Sequence, residues 1–128
     1  MTKLTVKDLF AKKGKVKLTE LYVTNALEAY AAEKAGIDIQ IVSFKKETLR
    51  TGVPTNRWFR DAHIKDIREA APNTFMIYGL GQLSSPDKAI DAALIARDNG
   101  ADAVYCGNSP KYIEALRKEG LPAVSHIG

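Results

Sequence analysis

The side chains of this 128-residue chain that could do chemistry follow apolar strand patterns. They comprise two cations, two phenol rings, two hydroxyls, an amide and an imidazole: Lys45, Arg50, Tyr78, Tyr105, Ser43, Ser109, Asn108 and His126. Cations and polar donors of this kind pair with carboxylate or phosphate oxygens, so the set suits a small anionic substrate. We predict His126 and Lys45 as catalytic residues and the others as substrate contacts, with imidazole as the group that can transfer a proton.

These residues also have simpler structural interpretations. The basic stretch after the second strand pattern is also typical of a solvated loop, and His126 suits a hydrogen-bonded core position equally well. Gly107-Asn108-Ser109-Pro110 leads into a helix, where it either caps the helix or offers free amides to an anion. Cys106 could be a nucleophile beside His126 or Tyr78, although a cysteine in a strand is more often a small packing residue.

The predicted strand ends lack the residues that usually bind metal ions or nucleotides. No carboxylate stands among these positions, whereas Mg²⁺ usually takes at least one. His63 and His126 have no cysteine or acidic neighbour at the spacing of zinc ligands. Gly79-Leu80-Gly81 lacks the third glycine of a dinucleotide fingerprint, because Ser84 stands in that place. We therefore predict no resident metal and no organic cofactor.

The elements that position these residues alternate between strand and helix. A short helix over 5–13 precedes five strand patterns, at 18–24, 37–43, 74–79, 101–106 and 123–127. Helices between them open at Asn25, Ser85-Pro86 or Ser109-Pro110 and close at glycines. The alternation predicts one α/β domain over 1–128 with parallel strands and right-handed crossovers. It fits a partial TIM-barrel-like arc of about five strands or an open, doubly wound flavodoxin-like sheet.

Composition narrows the class of protein. A chain of 128 residues is too short for a closed eight-stranded barrel, which takes about 250 residues. Cys106 is the single cysteine, which excludes an intrachain disulfide and indicates a reducing, cytoplasmic location. No apolar run approaches the roughly 20 residues of a membrane span. The net charge of +4 comes largely from lysines over 12–17, and no nucleic-acid-binding motif accompanies it.

Six segments of the chain carry a combined resemblance to one family. They are Leu4–Leu9, Leu18–Ala26, Ala32–Asp38, Ala71–Phe75, Gly100–Val104 and Gly120–Gly128. Together they resemble the N-terminal half of ketopantoate hydroxymethyltransferase (3-methyl-2-oxobutanoate hydroxymethyltransferase), in the phosphoenolpyruvate mutase and isocitrate lyase superfamily. The resemblance implies half of a barrel, a 2-keto acid substrate, and Mg²⁺ that holds this substrate at the carboxyl ends of the strands.

The positions that carry this family's chemistry differ here. Ser43-Phe44-Lys45 stands where the family has Gly-Asp-Ser, whose aspartate binds Mg²⁺, and Gly79 replaces a second metal-binding aspartate. Tyr105-Cys106-Gly107 replaces the family's Lys-Leu-Glu, and Thr24-Asn25 replaces its Tyr-Asp. His126 is the main strand-end residue that matches. The comparison implies a family scaffold with a degenerate active site, in which Lys45 or Arg50 would replace the charge of the metal.

Two functions follow from this resemblance. One is a divergent relative that binds a 2-keto acid and makes or breaks a carbon–carbon bond. The other is a non-catalytic ligand-binding or assembly subunit that has lost the Mg²⁺-binding aspartates. In either case a five-stranded arc has open edges that must be covered, so we expect a homo-oligomer or a half-barrel partner. We expect neither nucleic acid nor a membrane as a partner.

Overall fold

The computed structural model describes residues 3–43 and 57–126, with side chains over 3–42 and 63–126. Helices and strands alternate through these ranges, in the predicted order. They are α1 (Val6–Lys12), β1 (Glu20–Val23), α2 (Ala26–Lys34), β2 (Ile39–Ser43), α3 (Arg57–Ala70), β3 (Phe75–Gly79), α4 (Pro86–Asp98), β4 (Ala103–Cys106), α5 (Pro110–Lys118) and β5 (Ala123–Ser125). The predicted basic stretch with Lys45 and Arg50 lies outside the described residues.

The strands form one parallel sheet in chain order, β1-β2-β3-β4-β5. Each connection leads to the next strand in the same direction, so right-handed crossovers place all the crossover helices on one face. A doubly wound sheet would instead reverse its strand order at a switch point. The structure therefore confirms the barrel-like arc, and the flavodoxin-like alternative was wrong. Over the described ranges, no helix combines the length and apolar character that crossing a membrane requires.

The sheet has apolar side chains on both faces, because successive strand residues point in opposite directions. One face packs against the helices through Val23, Val42 and Val104. The other, concave face carries a second cluster of Ile39, Phe75, Ile77 and Ala103, against which α1 packs. The near-continuous apolar strands in the sequence reflect this burial on both sides.

Side-chain caps fix the helix starts that the sequence predicts. The Thr5 hydroxyl accepts a hydrogen bond from the Asp8 backbone N–H, while the Asp8 carboxylate accepts one from the Thr5 backbone N–H at 2.8 Å. That backbone bond is the main cause that lowers the pKa of Asp8 below its ordinary value, since it favours the ionised carboxylate. Asn25 and Ser85 cap α2 and α4 in the same way. Local chemistry therefore determines where these helices begin.

A partly buried arginine joins α3 to the amino ends of β3 and β4. The Arg68 guanidinium donates to the carbonyl oxygens of Gly100 (2.9 Å), Ala71 (3.0 Å) and Thr74 (2.8 Å). It also forms an ion pair with Asp102 at 2.7 Å. The same Asp102 oxygen accepts the Met76 backbone N–H at 2.9 Å, and the other contacts Lys3. This cluster fixes α3 against both strands, and the sequence analysis did not predict it.

We predict that Arg68→Lys lowers the free energy of unfolding by about 2–4 kcal/mol. Lysine keeps the charge but lacks the planar fork, so buried carbonyls would lose their donors. The matched control is Arg97→Lys, because Arg97 pairs with Asp98 at the exposed surface and such pairs contribute about 0–1 kcal/mol. Urea unfolding of both variants measures the difference. Equal losses in the two variants would contradict a structural role for the Arg68 cluster.

We predict that Gly100→Ala is more destabilising than Gly36→Ala by about 1–3 kcal/mol. Both glycines have positive φ, +117° and +82°, so a side chain costs about 1–2 kcal/mol of backbone strain at each. At Gly100 a Cβ would also lie 2.7 Å from Arg68 Cγ, whereas at Gly36 nothing lies within 4 Å. Thermal unfolding of both variants separates the contact from the strain. Equal destabilisation would show that the arginine moves aside at no cost.

Candidate functional site

The carboxyl ends of the strands form one rim on the concave side of the sheet. Ser43 of β2 pairs with Gly79 of β3, Gly79 pairs with Tyr105 of β4, and Tyr105 pairs with Val124 of β5. These residues therefore share a layer and a face. In α/β barrels this end of the strands carries the chemistry. Gly79 contributes no side chain to this layer beside Tyr105.

Tyr105 and His126 come together at this rim. Their ring centroids lie 6.1 Å apart with the planes tilted by 56°. Tyr105 is half-buried against the concave cluster, whereas His126 is exposed. Gly107 lies beside both, since a Cβ there would stand 3.8 Å from Tyr105 Cε1 and 3.9 Å from His126 Cβ. The structure thus brings together two of the predicted site residues, with a glycine between them.

Asn108 joins the loops that follow β3 and β4. Its amide nitrogen donates to the Gly81 carbonyl oxygen at 3.2 Å and contacts Cys106 Sγ at 3.5 Å. Its oxygen accepts the Leu83 backbone N–H at 3.5 Å. Tyr112 adds a second tie, because its hydroxyl donates to the Leu83 carbonyl oxygen at 3.1 Å. These bonds hold the two loops together, so Asn108 fixes backbone positions beside the rim.

Tyr78 lies away from the rim pair. It pairs with Val42 and Val104 in the register, and it is buried in the cluster that faces the helices. Tyr105 pairs instead with the neighbouring Gly79, so the two tyrosines point to opposite faces. Cys106 is also fully buried on the helix side, as a packing residue would be. The structure therefore does not bring Tyr78 or Cys106 together with the rings of Tyr105 and His126.

The other predicted site residues are not joined to this pair by the described contacts. Ser109 is exposed and takes the N-cap position of α5 without a side-chain hydrogen bond to the helix. Ser43 ends β2, and its side chain lies outside the described part of the chain. Lys45 and Arg50 lie outside the described residues altogether, so their predicted roles stay predictions.

The donor set at the described rim does not fit Mg²⁺. Among the described side chains, over 3–42 and 63–126, no three His, Cys, Asp or Glu residues lie close enough together to bind a metal ion. Glu28, near the end of β1, accepts hydrogen bonds from the Thr24 backbone N–H at 2.7 Å and from its hydroxyl at 2.9 Å. That carboxylate closes the turn into α2. The absence of a resident metal nevertheless stays a prediction for the whole chain.

Tyr22 is a concave-face residue that the sequence analysis did not select. It pairs with Ile41 of β2, which in turn pairs with Ile77 of β3, one layer below Tyr105. Its side chain is 40% exposed. The alternation of faces along β1 is the signal that would have placed it beside the site.

Comparison with known proteins relates this chain to enzymes about twice its length. No protein-family model matches it. The 3-methyl-2-oxobutanoate hydroxymethyltransferase of Thermosipho melanesiensis is 29% identical over 98% of this chain and 51% of its own. The Bacillus subtilis enzyme of the same name is 31% identical over 78% of this chain and 40% of its own. The chain therefore spans about half the length of the curated relatives that it matches.

A solved structure agrees on the fold. The crystal structure of 2,3-dimethylmalate lyase, a PEP mutase/isocitrate lyase superfamily member, superimposes with a TM-score of 0.65 at 14% identity. The match covers 95% of this chain and 52% of the lyase chain. At this identity the likeness shows a common architecture.

We predict that Asn108→Ala makes the Leu83 amide proton exchange about five-fold faster. The variant removes the amide that holds the two loops, and a hydrogen bond of this kind contributes about 1 kcal/mol. The control is Asn73→Ala, because exposed Asn73 makes its contact with Glu33 through the backbone N–H. Native-state hydrogen exchange measures the rate of the Leu83 amide proton in both variants. An unchanged Leu83 rate in Asn108→Ala would show that Tyr112 alone holds the loop.

Proposed function

We propose that this chain, a divergent relative of the 3-methyl-2-oxobutanoate hydroxymethyltransferases, binds a small 2-keto acid at the carboxyl ends of its strands. The observation that supports this most is the Tyr105–His126 pair beside Gly107, on the concave rim. A hydroxyl, an imidazole and a glycine lie together at this end of a parallel arc, which is the end where such folds bind their ligands. We also propose a cytoplasmic location, because a chain with a single cysteine is typical of a reducing compartment.

The two rings offer complementary contacts to such a ligand. The Tyr105 hydroxyl can donate a hydrogen bond to a keto or carboxylate oxygen, and the His126 imidazole can do the same when protonated. Val124, which shares the layer of Tyr105, gives the alkyl part of the ligand an apolar contact. Lys45 and Arg50 are the predicted cations for the carboxylate, in place of the family's Mg²⁺.

Carbon–carbon chemistry on a 2-keto acid needs two further conditions. A base must take the proton from the carbon beside the carbonyl, and the carbonyl oxygen must be stabilised as charge develops on it. His126 is the rim residue whose imidazole can accept and return this proton. Tyr105 is the described donor for the carbonyl oxygen. The described donors do not fit a metal ion, so these roles fall to the side chains of this chain.

A second candidate function is ligand binding or assembly without catalysis. One support is the described rim, where Gly79 and Tyr105-Cys106-Gly107 stand and no carboxylate is placed. The other is Glu28, whose carboxylate closes the turn into α2 by accepting the Thr24 backbone N–H. Release of a carbon–carbon cleavage or addition product from a 2-keto acid distinguishes the two functions. Binding without any product would favour the non-catalytic subunit.

We predict that ketoisovalerate, oxaloacetate or pyruvate raises the thermal midpoint of the protein without Mg²⁺. A ligand that binds the native state must do so by mass action. Tyr105→Phe and His126→Ala should each weaken the apparent affinity about five- to ten-fold, since each removes one hydrogen bond of about 1 kcal/mol. Tyr30→Phe is the matched control, because Tyr30 is exposed on α2 and lies away from the rim.

The outcomes of this experiment separate the parts of the proposal. No shift with any keto acid, with or without Mg²⁺, would contradict keto-acid binding. A shift that requires Mg²⁺ would contradict the metal-free site and would place metal ligands among residues beyond the described ranges. Equal weakening by Tyr105→Phe and Tyr30→Phe would show that the ligand binds elsewhere.

A further inference from the structure

A small cavity lies on the helix-facing side of the sheet, apart from the Tyr105–His126 pair. It lies between α3 and α4, and its volume is about 200 Å³. Most of its described lining is aliphatic, from α3, from the loop after β3 and from α4: Ile64, Leu80, Leu83, Ala92 and Ile95. Walls of this kind suit the alkyl part of a small ligand.

Two polar side chains complete the described lining of this cavity. Tyr78, which the sequence analysis selected as a substrate contact, lines the cavity and is only 5% exposed. Lys88 lines it from the first turn of α4, and its side chain is exposed. Within the described part of the chain Lys88 has no ion-pair partner, so its ammonium can pair with an anion that enters from solvent. Aliphatic walls with one cation beside them suit a small aliphatic carboxylate.

Two of the lining residues belong to the loop that is bonded to the rim. Leu80 donates its backbone N–H to the Tyr105 carbonyl oxygen at 3.0 Å. Leu83 is held by Asn108 and Tyr112. A ligand in the cavity would pack against the side chains of this loop from the helix side. Because such a ligand binds the closed loop, its presence should reduce local opening of the loop.

We propose that this cavity binds a small aliphatic monocarboxylate, with its carboxylate on Lys88 and its alkyl group against Leu80 and Leu83. The volume is about seven times the roughly 30 Å³ that one water molecule occupies in the liquid, so a branched acid with about seven non-hydrogen atoms fits it. Isovalerate has this size and lacks a 2-keto group, so it is the probe. The site is separate from the rim and does not rest on keto-acid binding there.

NMR titration of the isotope-labelled protein with isovalerate tests the site. We expect saturable shifts of the Leu80 and Leu83 amides and slower hydrogen exchange at Leu83, with a dissociation constant on the order of 1 mM for so small a ligand. Isovaleramide has the same shape without the charge and should bind about five-fold more weakly. Unchanged amide signals with isovalerate, or equal affinities for the acid and the amide, would overturn the proposal.

Paired variants locate the ligand. Lys88→Met keeps most of the alkyl stem and removes the charge, so it should weaken isovalerate binding about five- to ten-fold. Lys111→Met is the matched control, because Lys111 is exposed on α5 and lies outside the described lining. Tyr105→Phe should also leave the isovalerate affinity within about two-fold, whereas it weakens keto acids if the rim proposal holds. Equal weakening of isovalerate by Lys88→Met and Tyr105→Phe would place the acid at the rim and contradict the cavity site.

A third variant tests the cavity without any change of charge. Ala92→Leu fills the space between Ile64 and Ile95 and should abolish isovalerate binding, while circular dichroism checks that the variant folds. Ala115→Leu is the control for a larger side chain at a half-buried helix position, because Ala115 lies on α5 outside the described lining. Unchanged affinity in folded Ala92→Leu would overturn the site. If Ala92→Leu does not fold, Lys88→Met and isovaleramide decide the case, since both leave the aliphatic walls intact.

Discussion

The Arg68 cluster is the interaction on which the rest of the sheet depends. One guanidinium satisfies backbone oxygens at the end of α3, before β3 and before β4, and its partner Asp102 accepts the β3 backbone at Met76. Both side chains are only about one-sixth exposed, so removal of Asp102 would leave the Arg68 charge without its carboxylate, and removal of Arg68 would leave Asp102 with Lys3 as its described charged partner. The cluster lies at the amino ends of the strands. It therefore fixes β3 and β4 in register while the carboxyl ends, where ligands bind in such folds, stay free of structural ion pairs.

The structural ion pairs lie at the amino ends of the strands and the candidate site at their carboxyl ends, and this separation explains how the site is held. Tyr105 stands on β4, whose amino end is held by the Arg68 cluster, and His126 directly follows β5. Asn108 and Tyr112 hold the neighbouring loops. A site on rigid elements keeps its side chains in place before a ligand arrives, which reduces the cost of binding. At the described rim, Gly79 of β3 and Tyr105 of β4 stand side by side, with His126 near Tyr105. The fold is shared with the solved relative, whereas the described rim offers aromatic side chains and a glycine.

Burial on both faces explains why the edges matter. In a parallel arc the strands are covered by helices on one side and by the concave cluster on the other, so an edge strand carries apolar groups on both faces. An exposed edge of this kind is a template on which another strand can pair. The concave cluster and α1 already cover the lower part of the interior. An apolar groove at β5 and the exposed side chains at β1 are the parts that remain uncovered.

The sequence alone determined the order of the elements and the starts of the helices, because capping by Thr5, Asn25 and Ser85 and closure by glycine act over a few residues. It also placed Tyr105 and His126 at strand ends. It could not decide between an arc and a doubly wound sheet, since strand order depends on contacts between distant segments. It did not separate Tyr78 from Tyr105, because one residue of register changes the face to which a side chain points. The Arg68–Asp102 pair, 34 positions apart, likewise formed only through the tertiary packing of α3 against the strands.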